Sequence, residues 1–218
     1  MRAFILSCGV LFATAPAFAG TFFNAATPAN NADTLAAFRV AAGMPVPSFS
    51  ENFEGIDVGT NISGQLGFIP AMRLTSSNGT ATITTGSGSI GGSNPIDLRA
   101  VEMAESATIT LAFAFAMDSF GGFSIDQGGM TMTVGYVGGG TEVHEVGDTN
   151  ASGNSAEFFG FVQDAGGPGI ISVAFSSVSG SANWGLDNLE YNLAPIPEPA
   201  TMVALGLGAV AVLRRRRK

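Results

Sequence analysis

Between Thr108 and Met117 the side chains alternate: Ile109, Leu111, Phe113, Phe115 and Met117 are large and apolar, and the positions between them are Thr or Ala. Period two marks a strand with one face turned into a core. Met130, Met132, Val134 and Tyr136 repeat the pattern against Thr131, Thr133 and Gly135, and Ile171, Val173 and Phe175 repeat it against Ser172, Ala174 and Ser176. Thr80–Thr85, Glu142–Val146 and Phe158–Val162 add shorter runs. Turn-rich breaks separate them: 86–95, Gly121-Gly122, Gly128-Gly129, Gly138–Gly140, 147–153 and Gly166–Gly169. Short strands at this spacing, with no helices between them, predict an all-β fold: an antiparallel β-sandwich, jelly-roll-like, over residues 48–193. That length suits a single core.

The chain in front of this unit divides in two. Met1-Arg2 give a positive end, Ala3–Phe12 an apolar run, and Ala17-Phe18-Ala19 a small-x-small cleavage site before Gly20. Residues 1–19 therefore form a secretory signal peptide. Cys8, the sole cysteine, lies inside it too close to the start for a lipoprotein site, so the mature chain has neither disulfides nor thiolate chemistry. Residues 20–47 form an N-terminal segment with one short helix, Thr34–Ala42. Asp33 is its expected N-cap, Gly43 its left-handed C-terminal residue, and Pro45 prevents continuation.

Charge separates the parts. Three arginines (Arg39, Arg73, Arg99) face seventeen carboxylates between Gly20 and Pro199, a net of −14. So acidic a chain excludes nucleic acid as a partner and favours divalent cations.

The end of the chain has the reverse character. A linker, 194–199, contains Pro197, Glu198 and Pro199; fourteen uncharged residues come next, Ala200–Leu213, and then Arg214, Arg215, Arg216, Arg217 and Lys218. Fourteen helical residues span about 21 Å against a hydrocarbon core of about 30 Å. The one-sided cations orient such a short transmembrane helix, 200–213, with its basic tail, 214–218, in the cytoplasm. This order resembles the PEP-CTERM sorting tail of Gram-negative bacterial surface proteins. The resemblance implies an exported protein held transiently in the inner membrane until an exosortase, its partner, recognises Pro197-Glu198-Pro199. Delivery to the cell surface or exterior would then occur.

The two ends of the predicted sandwich carry a second resemblance. Asn52-Phe53-Glu54-Gly55, with Gly59-Thr60 and Gln65, and Trp184-Gly185-Leu186-Asp187-Asn188-Leu189 are similar to the first and last strands of many domains carried by such tails. They are also similar to carbohydrate-binding jelly rolls, in which an early Phe-Glu and a late Asp-Asn hold a structural Ca²⁺. The resemblance implies Glu54 and Asp187 as Ca²⁺ ligands, beside the alternative that Asp187 is an edge charge and Glu54 a solvated residue at a strand start. Trp184 and Leu186 stand in one phase and Leu189 and Tyr191 in the other, so alternation breaks at Asp187-Asn188 as at a bulge.

Other motifs fail on context. Gly86-Ser-Gly-Ser-Ile-Gly91 is followed by Gly92-Ser93-Asn94-Pro95, which opens no helix for a pyrophosphate. His144, the only histidine, shares a strand face with Glu142 and is expected at a solvated position; one histidine without a second or a cysteine makes no metal centre. There is neither a nucleophile elbow nor H-E-x-x-H, nothing selects a catalytic carboxylate pair, and no catalytic residue is assigned. The Thr-x-Thr pairs that flat ice-binding faces use are irregularly spaced here. The expectation is a non-enzymatic surface or matrix protein; the alternative is an exopolysaccharide-binding module with a structural Ca²⁺. A sugar-stacking platform is not evident, because Trp184 is in phase with the core.

Overall fold

A computed structural model describes residues 20–25, 27–44, 46–65, 71–85, 99–104, 106–126, 130–146, 155–177 and 184–194. In chain order these form β1 (Gly20–Asn24), α1 (Asn31–Ala41), β2 (Phe49–Glu51), β3 (Met72–Ser76), β4 (Thr82–Thr85), β5 (Arg99–Met103), β6 (Thr108–Asp126), β7 (Met130–Tyr136), β8 (Thr141–Val146), β9 (Ser155–Gln163), β10 (Ile170–Ser177) and β11 (Trp184–Leu193). Every pairing among these strands is antiparallel, as expected from short strands with no helices between them.

The long strand β6 builds both layers. Its first half, Thr108–Phe113, pairs with β3 on one side and β10 on the other, and β7 and β8 extend that sheet. Its second half, Met117–Asp126, pairs with β11 and β9, and β5, β4, β2 and β1 complete the other sheet. Between the halves, Ala112 to Met117 on β6 is set against only Ser172 to Ile170 on β10, a bulge that turns the strand from one layer into the next. Phe113, Phe120, Phe159, Phe175 and Tyr191 meet ring to ring between the layers, with centroids 5.2–6.5 Å apart. This aromatic centre belongs to one contiguous core with Ile109, Leu111, Met132, Val134, Trp184 and Leu186.

Two expectations for β6 change. Phe115 does not point inward; it sits on the bulge, where the alternation resets, and is 61% exposed. Gly121-Gly122 is not a turn but the middle of the strand, because close approach requires it to lack side chains. A Cβ on Gly122 would lie 2.7 Å from Leu189 Cδ2, and one on Gly121 would lie 3.1 Å from rings of both Phe38 and Phe158.

The segment 20–47 joins the sandwich directly. β1 adds to the edge of β9, in register from Gly20 opposite Gln163 to Asn24 opposite Phe159. α1 covers the outer face of that sheet, and Phe38 packs with Phe123, Ile125 and Phe158 in a second, smaller core. The helix begins at Asn31, ahead of the expected Asp33 cap, which lies in the first turn. The cause is tertiary: Asn31 Nδ2 donates to Ala156 O and Asn31 Oδ1 accepts from Phe158 N, each at 2.8 Å, fixing the helix start to β9. Gly43 adopts φ +61°, the left-handed conformation expected beyond the helix end.

Candidate functional site

The last strand is bulged where the alternation breaks. Asp187 pairs with Phe123 and Glu190 with Gly121, so three steps on β11 are set against two on β6, and Asn188 takes φ +44°. The bulge also divides the other edge of β11: Trp184–Leu186 pair with β5, and Leu189–Tyr191 pair with β2. Two residues past the end of β2, Phe53 adopts φ +60°. Left-handed backbone at a non-glycine residue costs on the order of 1–3 kcal/mol, and such residues collect at ligand sites.

Both residues implied by the resemblance lie at this corner. Asp187 is fully buried, and its Oδ1 accepts the Asn188 N–H at 2.7 Å. Glu54 is half-buried, and its Oε1 accepts the Arg99 N–H at 2.7 Å, two residues along β5 from the Val101 that pairs with Leu186. The Arg99 guanidinium donates to Ile56 O. Among the described residues no three His, Cys, Asp or Glu side chains converge as a metal site, so a cation here would draw on backbone carbonyls as well as these two carboxylates.

Beside the bulge a cleft of about 550 Å³ opens between α1 and the β2–β11 pair, lined by Leu35, Arg39, Ser50, Glu51, Asn52, Phe123, Asn188 and Glu190. Periodicity does not place it, because α1, β2 and β11 are distant in sequence. Arg39 grips Glu190 with two hydrogen bonds, Nε to Oε2 at 3.0 Å and Nη2 to Oε1. Glu51 is desolvated, which raises its carboxyl above the ordinary range, while the Phe53 N–H at 2.6 Å on Oε1 opposes the rise. The buried Tyr191 hydroxyl is pushed up by burial and then by the Glu51 charge. The cleft thus presents a guanidinium, amides and carboxylates beside the apolar surface of Leu35, Pro47, Phe123 and Leu189.

His144 departs from the solvated position expected of it. Its imidazole stacks on Phe22 with centroids 4.4 Å apart and leans on Phe161 at 5.3 Å, closing the sandwich edge between β8 and β1. It does share a face with Glu142: Nε2 lies 3.1 Å from Glu142 Oε1, and Oε2 accepts the Tyr136 hydroxyl at 2.8 Å. Burial holds the His144 pKa below the ordinary value, and the Glu142 charge opposes the shift. The G-x-G-x-x-G run, Pro197, Glu198, Pro199 and Arg214–Lys218 lie outside the described residues.

These layers define an antiparallel β-sandwich with a cleft of mixed polar and apolar lining beside its bulged last strand. The segment beyond the sandwich is defined as well: residues 195–218 match the PEP-CTERM protein-sorting motif, so the chain carries a PEP-CTERM sorting tail. No curated protein matches the chain. Among solved structures it is similar to the K2 cleaved adhesin domain of Lys-gingipain, at TM-score 0.42 and 14% identity, covering 67% of this chain and 98% of that one. The structure of TmCBM61 with β-1,4-galactotriose gives TM-score 0.39 and 12% identity over 66% of this chain and 99% of that one. The CBM22-1 xylan-binding domain of Paenibacillus barcinonensis Xyn10C gives 0.37 and 14% over 67% and 94%.

Proposed function

We propose that this protein is an exported, non-enzymatic component of the cell surface or extracellular matrix, carried to the membrane by its N-terminal signal and released there by an exosortase acting on Pro197-Glu198-Pro199. The observation that supports this most directly is the sorting motif at 195–218, which starts one residue after the last described residue, Ala194, just beyond β11. Nothing longer than a short linker separates the sandwich from its tail. Fractionation of cells tests the sorting. The wild-type protein leaves the inner membrane, while a variant with Pro197, Glu198 and Pro199 all changed to Ala stays there unprocessed. Equal arrival of both in the outer layer would contradict it.

A second reading, binding of exopolysaccharide, is favoured by the cleft itself. Its volume lies within the range of small-ligand sites, and guanidinium, amide and carboxylate groups together suit vicinal hydroxyls. A glycan array with the mature domain tests it: binding weakened about tenfold or more by Glu51→Gln and Asn52→Ala supports the reading, and a silent array removes it. The structural Ca²⁺ at Glu54 and Asp187 belongs to the same proposal; two carboxylates beside left-handed Phe53 and Asn188 are chemically suited to a hard cation.

A further inference from the structure

The two ends of the described chain meet at one pole of the sandwich. Gly20 pairs with Gln163, and Gln163 and Ala194 line the same cavity of about 440 Å³, together with Ala41, Asp118, Gly167 and Gly169. The pole is held together locally. Ala194 N donates to Ala116 O and Val137 N donates to Gly169 O, each at 2.9 Å.

Six of the eight exposed large apolar side chains of the described residues gather around this pole. Val40, which is 82% exposed, precedes Ala41 and Ala42, the residues at the end of α1 that line the cavity. Phe115 adjoins Ala116 on the β6 bulge, Ile171 and Val137 flank Gly169, Leu193 precedes Ala194, and Val46 lies by the Ser48 that bonds to Asn192. Only Val58 and Val143 are elsewhere. Of the carboxylates, Asp118 and Asp164 line the cavity, Glu142 stands at the start of β8 past the Val137 hairpin, and Glu190 is paired with Arg39, whereas Glu54, Asp57, Glu102, Glu145 and Asp187 belong to other parts of the sandwich.

The length of chain beyond Ala194 identifies what covers this surface. Six Cα steps separate Ala194 from Ala200, where the apolar run of the tail begins, and a fully extended chain gains at most ~3.5 Å per step, so this pole can stand no more than roughly 20 Å from the start of that run. We infer that the pole formed by Val40, Val46, Phe115, Val137, Ile171 and Leu193 is a bilayer-contacting surface, on which the sandwich rests in the outer interface of the inner membrane while its tail is inserted. The inference rests on the membrane-anchored tail proposed above. Scattered aliphatic side chains and one phenylalanine give a shallow, weak contact that depends on the tether, and with Asp118 and Asp164 nearby it is driven by apolar burial and not by anionic lipid. Contact of this kind fixes the sandwich over the membrane with the exit of β11 against it, where the linker meets a membrane-embedded processing enzyme.

Residues 20–218 contain no cysteine, which makes a direct test clean. Single cysteines replace Val40, Phe115, Ile171 and, as control, Val58; each carries an environment-sensitive fluorophore, and the tailed protein is reconstituted in phosphatidylcholine vesicles with or without nitroxide lipid. Quenching at positions 40, 115 and 171 at least about threefold that at 58 is the expected result. Protease protection of the basic terminus is read in parallel. Equal quenching at all four positions with the terminus protected overturns the surface while leaving the tail anchor intact; an unprotected terminus overturns both. Shielding of the three labels without lipid, rising with protein concentration, identifies a second copy as the occupant and also overturns the inference.

Discussion

Arg39 on α1 and Glu190 on β11 stand 151 residues apart and form a bidentate ion pair, the direct polar tie between the covering helix and the bulged strand. The two ends differ: the Glu190 side chain is 9% exposed and that of Arg39 is 39% exposed. The cost of breaking the pair therefore depends on which partner is removed.

Arg39→Met keeps the alkyl packing but leaves a buried carboxylate unpaired, and the expected loss is about 1–3 kcal/mol after allowance for solvent at the guanidinium. For a domain of this size that corresponds to a fall in Tm of very roughly 2–12 °C by calorimetry. The double variant Arg39→Met/Glu190→Gln recovers part of the loss, because no buried charge remains; additive losses in a double-mutant cycle would show that the two groups are not coupled.

Phe38 and Gly160 test how closely the helix sits on its sheet. A Cβ built on Gly160 comes 2.5 Å from Phe38 Cδ2, and the ring also contacts Phe23 and Phe158. Gly160→Ala forces the ring aside at an expected cost of about 1–3 kcal/mol. Phe38→Ala costs about 3–5 kcal/mol by cavity formation. In the double variant the alanine methyl occupies part of the space vacated by the ring, so its loss falls below the sum of the two. Urea unfolding of the three variants measures this.

How much of this structure is legible in the sequence depends on how local each signal is. β7 ends where its alternation ends, at Met130 and Tyr136, because a half-buried strand writes its own period. The bulge at Asp187-Asn188 is legible for the same reason: a phase change is a local event. The cleft is not legible, since α1, β2 and β11 meet only through pairing with distant strands. Gly121-Gly122 misleads because a glycine chosen for close approach to Phe38 and Leu189 has the same letter as one chosen for a turn. His144 misleads because its partners, Phe22 and Phe161, lie on β1 and β9 and not on its own strand.

The burial of His144 predicts a pH response. Its pKa is lowered in the folded state, so above the unfolded value near 6.5 both states are neutral and the stability is fully present; as pH falls through this range toward the lower folded value, the unfolded chain takes up the proton first and stability is lost. Glu142, at 3.1 Å, moderates the loss without reversing it. Asp118 and Glu51, raised by burial, have the opposite sign: they favour the fold at low pH and lose that contribution as pH rises through their folded values. The difference between wild type and His144→Phe isolates the histidine. Its Tm advantage for the variant grows between about pH 7.5 and about pH 5, and a constant difference across that range would contradict the buried neutral imidazole.

Calcium provides the sharpest test of the corner between β5 and β11. If Glu54 and Asp187 donate to Ca²⁺ in the folded state alone, the ion stabilises by mass action, about 2.7 kcal/mol at a hundredfold excess over Kd. Millimolar Ca²⁺ then raises Tm and EDTA lowers it. Asp187→Asn retains an oxygen for the Asn188 N–H, and Glu54→Gln retains one for the Arg99 N–H, so both variants keep the local hydrogen bonds while losing charge at the ion. The expected outcome is a fold that survives in each variant with its Ca²⁺ response reduced or gone. A wild-type Tm indifferent to both Ca²⁺ and EDTA removes the ion from the proposal. The bulge would then bury Asp187 for the hydrogen bonds of the strand alone, and the left-handed Phe53 and Asn188 would be serving the turn of the chain around the cleft.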